Sequence, residues 1–427
     1  MTDVAAVKFA LDEHELDNGL RVILQQDRVA PLVTTHVMYH VGSKNERKGR
    51  TGFAHLFEHL LFQGSEHIPR EGHFKYIQDA GGTLNGSTWF DRTNYFETVP
   101  SNDLDLALWL ESDRMGFFKP GITSEKMENQ REVVKNERLQ SYENRPYGLA
   151  FETVLDVAYP EGHPYRHPTI GYMEDIDAAS LEDVHDFFDL HYGPNNATLV
   201  LVGDFEVGDA LRRIERWFGE IPSRPVPERP TVPSPLGRGE LRKVLEDRVQ
   251  VPRVYLMYHA PSFNDPGFEA TDVLTFLLSD GNSSRLQKAL VYEKQVAADV
   301  SAFTWPIEDV GMCFFVATAR PGVSAEDLEA SVREVLDELL ETGVTEDELA
   351  GAQNRARRAL VGQLNAFSDR ADAIAHAAVL RGDPSYVNDS FGLYAGLDHE
   401  AVESVAQQVL RADRLTSVHV VPERGAS

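Results

Sequence analysis

Val33-Thr34-Thr35-His36-Val37-Met38-Tyr39-His40 reads as an alternating β-strand, and a kindred run, Arg253-Val254-Tyr255-Leu256-Met257-Tyr258-His259, returns about 220 positions later. Asp27-Arg28-Val29 precedes the first run and Asp247-Arg248-Val249 the second. Either match alone could be chance, but the order of the surrounding elements is also kept. A helix follows each strand, Gly52 to Phe62 in the first half and Phe268 to Leu278 in the second. Each half then closes with a polar amphipathic helix leading into a β-branched strand, Ala197 to Val202 and Leu415 to Val421. Duplication explains all of this economically.

Between the copies, Pro222 to Pro235 holds six prolines, a composition that favours an extended spacer over a helix or a central strand. At 427 residues the chain also exceeds the roughly 250 to 300 that one core supports. The expected organisation is a domain over residues 1–221, a linker over 222–238 and a second, homologous domain over 239–427. Alternating strands mix with amphipathic helices such as Ser324 to Leu340. The predicted class is therefore α+β: two homologous α/β sandwich domains, each a largely antiparallel sheet with helices packed on it. A parallel nucleotide-binding fold would need a Gly-x-Gly-x-x-Gly turn after its first strand, and none follows.

The formal net charge of -27 disfavours phosphate backbones, because each contact there needs a Lys or Arg to displace counterions. Nucleic acid is not an expected partner, and neither is a membrane, since no apolar run approaches the roughly 20 residues that span a bilayer. The N-terminus has no basic region followed by an apolar stretch, so no secretory signal is expected and the cytoplasm is the default. The single cysteine, Cys313, fits a reducing compartment and rules out a cysteine-rich metal cluster. Any metal must be held by His and carboxylates.

Gly52-Phe53-Ala54-His55-Leu56-Phe57-Glu58-His59-Leu60-Leu61-Phe62 supplies such groups. It has no proline or internal glycine, and its four-residue spacing puts His55 and His59 on one helical face with Glu58 beside it. Nearly every other position is apolar, so the helix is expected to be buried, where imidazoles and a carboxylate are costly unless paired or bound to a cation. One buried histidine is usually a satisfied core residue; His-x-x-Glu-His in so apolar a helix is the inverted zincin pattern, with Glu58 as general base. A catalytic zinc takes a third protein ligand. On the charged helix Glu125 to Tyr142, Glu128, Glu132 and Glu137 all qualify by chemistry, and spacing does not choose among them.

These residues, with Leu16-Asp17-Asn18-Gly19-Leu20, Gly81-Gly82-Thr83-Leu84-Asn85, Val133-Val134-Lys135-Asn136-Glu137 and Tyr192-Gly193-Pro194-Asn195-Asn196, give a chain that resembles the pitrilysin or insulinase family of metallopeptidases over essentially its whole length. That family includes the mitochondrial processing peptidase and half-length bacterial members. The resemblance implies Zn2+ as cofactor and Glu137 as third ligand, with 77 residues between it and His59. It also implies that the strand around Asn85 is an exposed edge to which a peptide substrate adds. Family members usually carry a glutamate seven residues before the third ligand; here Gln130 stands there as secondary support of the site, keeping the hydrogen bonding without the charge. Where members place a substrate-gripping Arg and Tyr in the second half, this chain has Val291 and Ala298.

The resemblance therefore implies a zinc-dependent endopeptidase acting on extended peptides or unfolded segments as the catalytic subunit of a dimer. The expected partner is a homologous zinc-free subunit carrying the Arg/Tyr pair, with a homodimer as the competing arrangement. The rivals are a non-catalytic scaffold or core-type subunit and a peptide-binding module with a structural zinc. The sequence assigns no role to His163 and Tyr165, for which structural turn residues are one reading.

Overall fold

The structure, a computed structural model, describes residues 8–225 and 228–423. Residues 1–7, on which most of the expectation about a secretory signal falls, and linker residues 226 and 227 lie outside the described residues. The chain forms two compact units, each gathered from three segments. Unit 1 comprises Met1–Glu137, His167–Thr231 and Gly362–Asp389; unit 2 comprises Arg138–Arg166, Val232–Val361 and Ser390–Ser427.

Unit 1 contains strands β1 (Asp12–Glu15), β2 (Arg21–Gln26), β3 (Leu32–Tyr39), β4 (Thr83–Thr88), β5 (Thr93–Pro100) and β6 (Ala197–Gly203), in the order β1-β2-β6-β3-β5-β4. Only the β2–β6 pair is parallel. Unit 2 contains β7 (Leu241–Asp247), β8 (Arg253–Ala260), β9 (Ala297–Trp305), β10 (Gly311–Ala319) and β11 (Leu415–Pro422), in the order β7-β11-β8-β10-β9. Here only β7–β11 is parallel. Without β1 the two orders correspond strand for strand. The repeated Met-Tyr-His runs enter β3 and β8, the middle strands of their sheets, and each half is the α+β layer that its pattern of strands and helices predicts.

The strands depart from simple alternation in one respect. Thr34, Thr35 and His36 of β3 are all 0% exposed, so the polar positions do not face water. The helix Phe367–His376, far off in sequence, covers that face: Phe367, Ala371, Ile374 and Ala375 pack with Ile23, Met38, Val200 and Val202. Thr34 and His36, which share the face beneath that helix, find partners there, whereas the Thr35 hydroxyl on the opposite face has none among the described residues. Thr34 pairs with Thr98 at 2.8 Å, and Asp372 accepts from Asn94 at 2.9 Å and lies 3.2 Å from His36. The opposite face of β3 and β5 meets the helix Leu104–Gly121.

Unit 2 repeats the device with a different segment. The helix Ala150–Ala158 lies on β7, β8 and β11, and its Phe151 sits among Tyr255, Phe303, Trp305 and Phe314. On the other face the helices Phe268–Ser279 and Ala325–Thr342 bury Leu274, Leu278, Val332 and Leu336 against Val254 and Leu256. His163 and Tyr165 also belong to this unit. His163 Nδ1 accepts the Tyr165 amide at 3.1 Å, its Nε2 lies 3.0 Å from the Pro233 carbonyl, and the Tyr165 hydroxyl donates to Asp309 at 2.7 Å. Both imidazole nitrogens are thereby used in holding a turn. Among the described residues no helix is long and apolar enough to cross a membrane.

If Phe367–His376 completes the core of unit 1, Ile374→Ala, which empties a fully buried site, should cost about 2–5 kcal/mol in denaturant unfolding. Val361→Ala, at a position 56% exposed, should stay within about 0.5 kcal/mol of the parent.

Candidate metal centre

The inverted motif forms the helix Phe53–Leu60, which buries Phe53, Ala54, Leu56, Phe57 and Leu60. Phe57 anchors it, with ring centroids 5.3 Å from Phe118 and 4.5 Å from Tyr192. The helix starts at Gly52 with a left-handed φ of 81°, and a Cβ there would stand 2.4 Å from the Ile170 carbonyl oxygen, so glycine is required. The Glu46 carboxylate accepts the amides of Gly52 at 2.9 Å and Ala54 at 2.7 Å, satisfying two of the donors that a helix start leaves unpaired.

This seating turns His55 and His59 outward on one face with their rings 4.7 Å apart. The second helix, Ser124–Arg138, brings Glu137 to meet them. Its Oε2 lies 3.8 Å from His55 Nε2 and 3.4 Å from His59 Nε2, and one ligand atom from each of the three residues lies within 4.8 Å of the others. Glu128 and Glu132 instead pair with Arg131 and Lys135 on their own helix. Gln130, 6% exposed, lies near the His59 ring, and its amide nitrogen donates to the Asn129 side-chain carbonyl at 3.1 Å.

The donor set fits a zinc ion: two imidazole nitrogens and one carboxylate, the three protein ligands of a site that keeps one position open. Side-chain exposures of 14%, 22% and 41% for His55, His59 and Glu137 leave that position reachable from solvent. Burial, aided by the charge on His59, pushes His55 down to about 4, so its imidazole is neutral and offers a lone pair. Burial would lower His59 too, but its hydrogen bond to Glu137 and the charge of Glu58 hold it above the ordinary value. Glu137 is held low by the hydrogen bond from His59.

Glu58 projects beside this cluster. Burial raises its carboxyl, opposed by a hydrogen bond from the Thr88 hydroxyl, which donates to Oε2 at 2.7 Å. Asn85 is not part of the cluster; it lies in the middle of β4, the outermost strand of its sheet, opposite Phe96. Val291 is half-buried in the π-helical segment Gln287–Glu293, and Ala298 is exposed on β9. Neither Glu46 nor Thr88 was singled out by sequence reasoning. Glu46 had a faint signal, an acid six residues ahead of the helix; Thr88 is 30 residues from Glu58 and had none.

Residues 21–170 match the family model described as insulinase, peptidase family M16, and residues 178–356 match the one described as peptidase M16 inactive domain. A Helicobacter pylori protein named zinc protease PqqE is 29% identical over 420 residues, 96% of this chain and 94% of its own. A probable mitochondrial-processing peptidase subunit beta from Arabidopsis thaliana is 22% identical over 411 residues, 92% of this chain and 75% of its own. The crystal structure of a protease from Helicobacter pylori superposes with a TM-score of 0.92 at 28% identity, covering 97% of this chain and all (100%) of that one. The Pseudomonas fluorescens structure described as a peptidase M16 inactive domain shares the fold, with a TM-score of 0.86 at 20% identity and 97% and 98% of the two chains covered.

Elemental analysis of His59→Ala and of Glu137→Gln should find most of the zinc carried by the parent chain missing. Full retention by either variant would remove that residue from the ligand set.

Proposed function

Because the chain belongs to the M16 peptidase family, we propose that it is a zinc-dependent endopeptidase that hydrolyses extended peptides or unfolded segments. The observation that carries this reading is the convergence of His55, His59 and Glu137 from two helices, with Glu58 next to them. His55, His59 and Glu137 would hold the ion. When bound, zinc would polarise the scissile carbonyl and bring the pKa of water towards about 7.

The chain's own groups do the rest. Glu58, whose carboxyl burial raises above the ordinary carboxylate value, takes a proton from the attacking water and returns it to the leaving amine. Gln130, buried near His59, would help to keep that ring oriented. Among the described residues β4 pairs only with β5, so the amides and carbonyls of its outer edge, with Asn85 at the centre, are available to a peptide backbone added as a further strand. Such a mode selects extended, unfolded segments, because a folded chain has already spent its backbone hydrogen bonds.

The halves of the duplication are assigned to 1–221, which carries the metal ligands, and 239–427, which carries none, joined by 222–238. With Val291 and Ala298 at the expected Arg and Tyr positions, the second half lacks side-chain donors for substrate there. This is the reason for reading the chain as the catalytic member of a pair with a homologous, zinc-free subunit. One buried cysteine, Cys313, suits a cytoplasmic setting.

The test is cleavage of an unstructured peptide: a chelator should abolish it and added Zn2+ restore it. Glu58→Gln should keep the parent's zinc content yet lose at least about 100-fold in turnover. Turnover like the parent's would take Glu58 out of the mechanism.

A further inference from the structure

Both units build the same bridge between an outer strand and a helix. In unit 1, Tyr39 of β3 stands opposite Thr93 of β5, which stands opposite Thr88 of β4. In unit 2, the matching Tyr258 of β8 stands opposite Cys313 of β10, which stands opposite Thr304 of β9. Thr88 and Thr304 therefore occupy equivalent register positions, and each hydroxyl reaches a carboxylate on the helix that follows the middle strand. Thr88 donates to Glu58 Oε2 at 2.7 Å, and Thr304 donates to Asp272 Oδ1 at 3.0 Å.

The two bridges differ at their second oxygen. Asp272 Oδ2 accepts the Tyr394 hydroxyl at 2.9 Å, so both oxygens of that carboxylate are engaged and the group serves as a clamp. Glu58 Oε1 has no hydrogen-bond partner among the described residues. We propose that Thr88 is a positioning residue for the general base: its hydroxyl fixes one oxygen of Glu58 and leaves the other to carry the transferred proton. This rests on the assignment of Glu58 made above.

The chemistry favours threonine at this point. Its alternative acceptor, the Ala54 carbonyl, is 3.5 Å away, so the single hydroxyl proton is directed to Glu58. A β-branched residue in a strand has few χ1 choices, which keeps the donor aimed. Because Thr88 ends β4, the bond also ties the base to the strand proposed to receive the substrate backbone. A shift of about 1 Å in a positioned group can cost on the order of 100-fold in rate, so this restraint acts on turnover more than on binding.

Thr88→Val removes the hydroxyl and keeps the shape, and Thr88→Ser keeps the hydroxyl. On an unstructured peptide, Thr88→Val should lower kcat about 10- to 100-fold with KM and zinc per chain unchanged, and Thr88→Ser should recover most of the loss. Thr304→Val, cutting the unit 2 bridge, should lower the melting temperature and leave kcat alone. A crystal structure of Thr88→Val should show the Glu58 carboxylate turned from its place in the parent. Parental kcat in Thr88→Val, no rescue by Thr88→Ser, an equal kcat loss in Thr304→Val, or an undisplaced Glu58 would overturn the proposal. If the parent cleaves no peptide while Glu58 still turns in the Thr88→Val crystal, the endopeptidase reading fails and the hold of Thr88 on Glu58 stands.

Discussion

A short helix with almost no polar surface to spare governs this molecule. Phe53, Ala54, Leu56, Phe57 and Leu60 all face the interior of unit 1, which leaves His55 and His59 only one direction in which to point. Fully burying a side chain the size of Phe57 contributes about 2–3 kcal/mol, an amount that a surface helix rotating freely about its axis would lack. Glu46 fixes the helix start and Phe57 fixes its rotation, so two imidazoles arrive as neighbours with little freedom left to lose on binding a cation.

Duplication supplied a second copy of the architecture without a second copy of the chemistry. Where unit 1 has a carboxylate with one oxygen held and one uncommitted, unit 2 has Asp272 tied at both. The same contrast extends to the sheets. In unit 2, Glu329 beneath β11 accepts from Ser417 at 2.8 Å and pairs with His419 and Arg242, a buried carboxylate fully occupied by partners. Removing one partner from such a group exposes the desolvation cost of the rest, and the network specifies packing more than it adds stability.

Each sheet is roofed by a helix remote in sequence. Phe367–His376 covers β3 and β6, and Ala150–Ala158 covers β7, β8 and β11. The polar residues of β3 are consequently interior groups, and Thr34, His36 and Asn94 survive there by pairing with Thr98 and Asp372. Closing the loops that bring such distant segments home costs entropy that rises only slowly with loop length, so the apolar area buried by each helix outweighs it.

Local periodicity and the internal repeat were enough to identify two α+β halves and a helix presenting His55, Glu58 and His59, because strand alternation and i, i+4 spacing are properties of a few adjacent residues. Glu128, Glu132 and Glu137 were chemically equal in the sequence, and resemblance to a family favoured one. The tertiary structure separates them physically: Glu137 lies against both histidines and the other two pair with cations on their own helix. The roofing helices, the role of Glu46 as a cap and the reach of Thr88 to Glu58 were equally hidden. Contacts between segments tens to hundreds of residues apart depend on how the layers pack, and no local pattern of side chains encodes that distance.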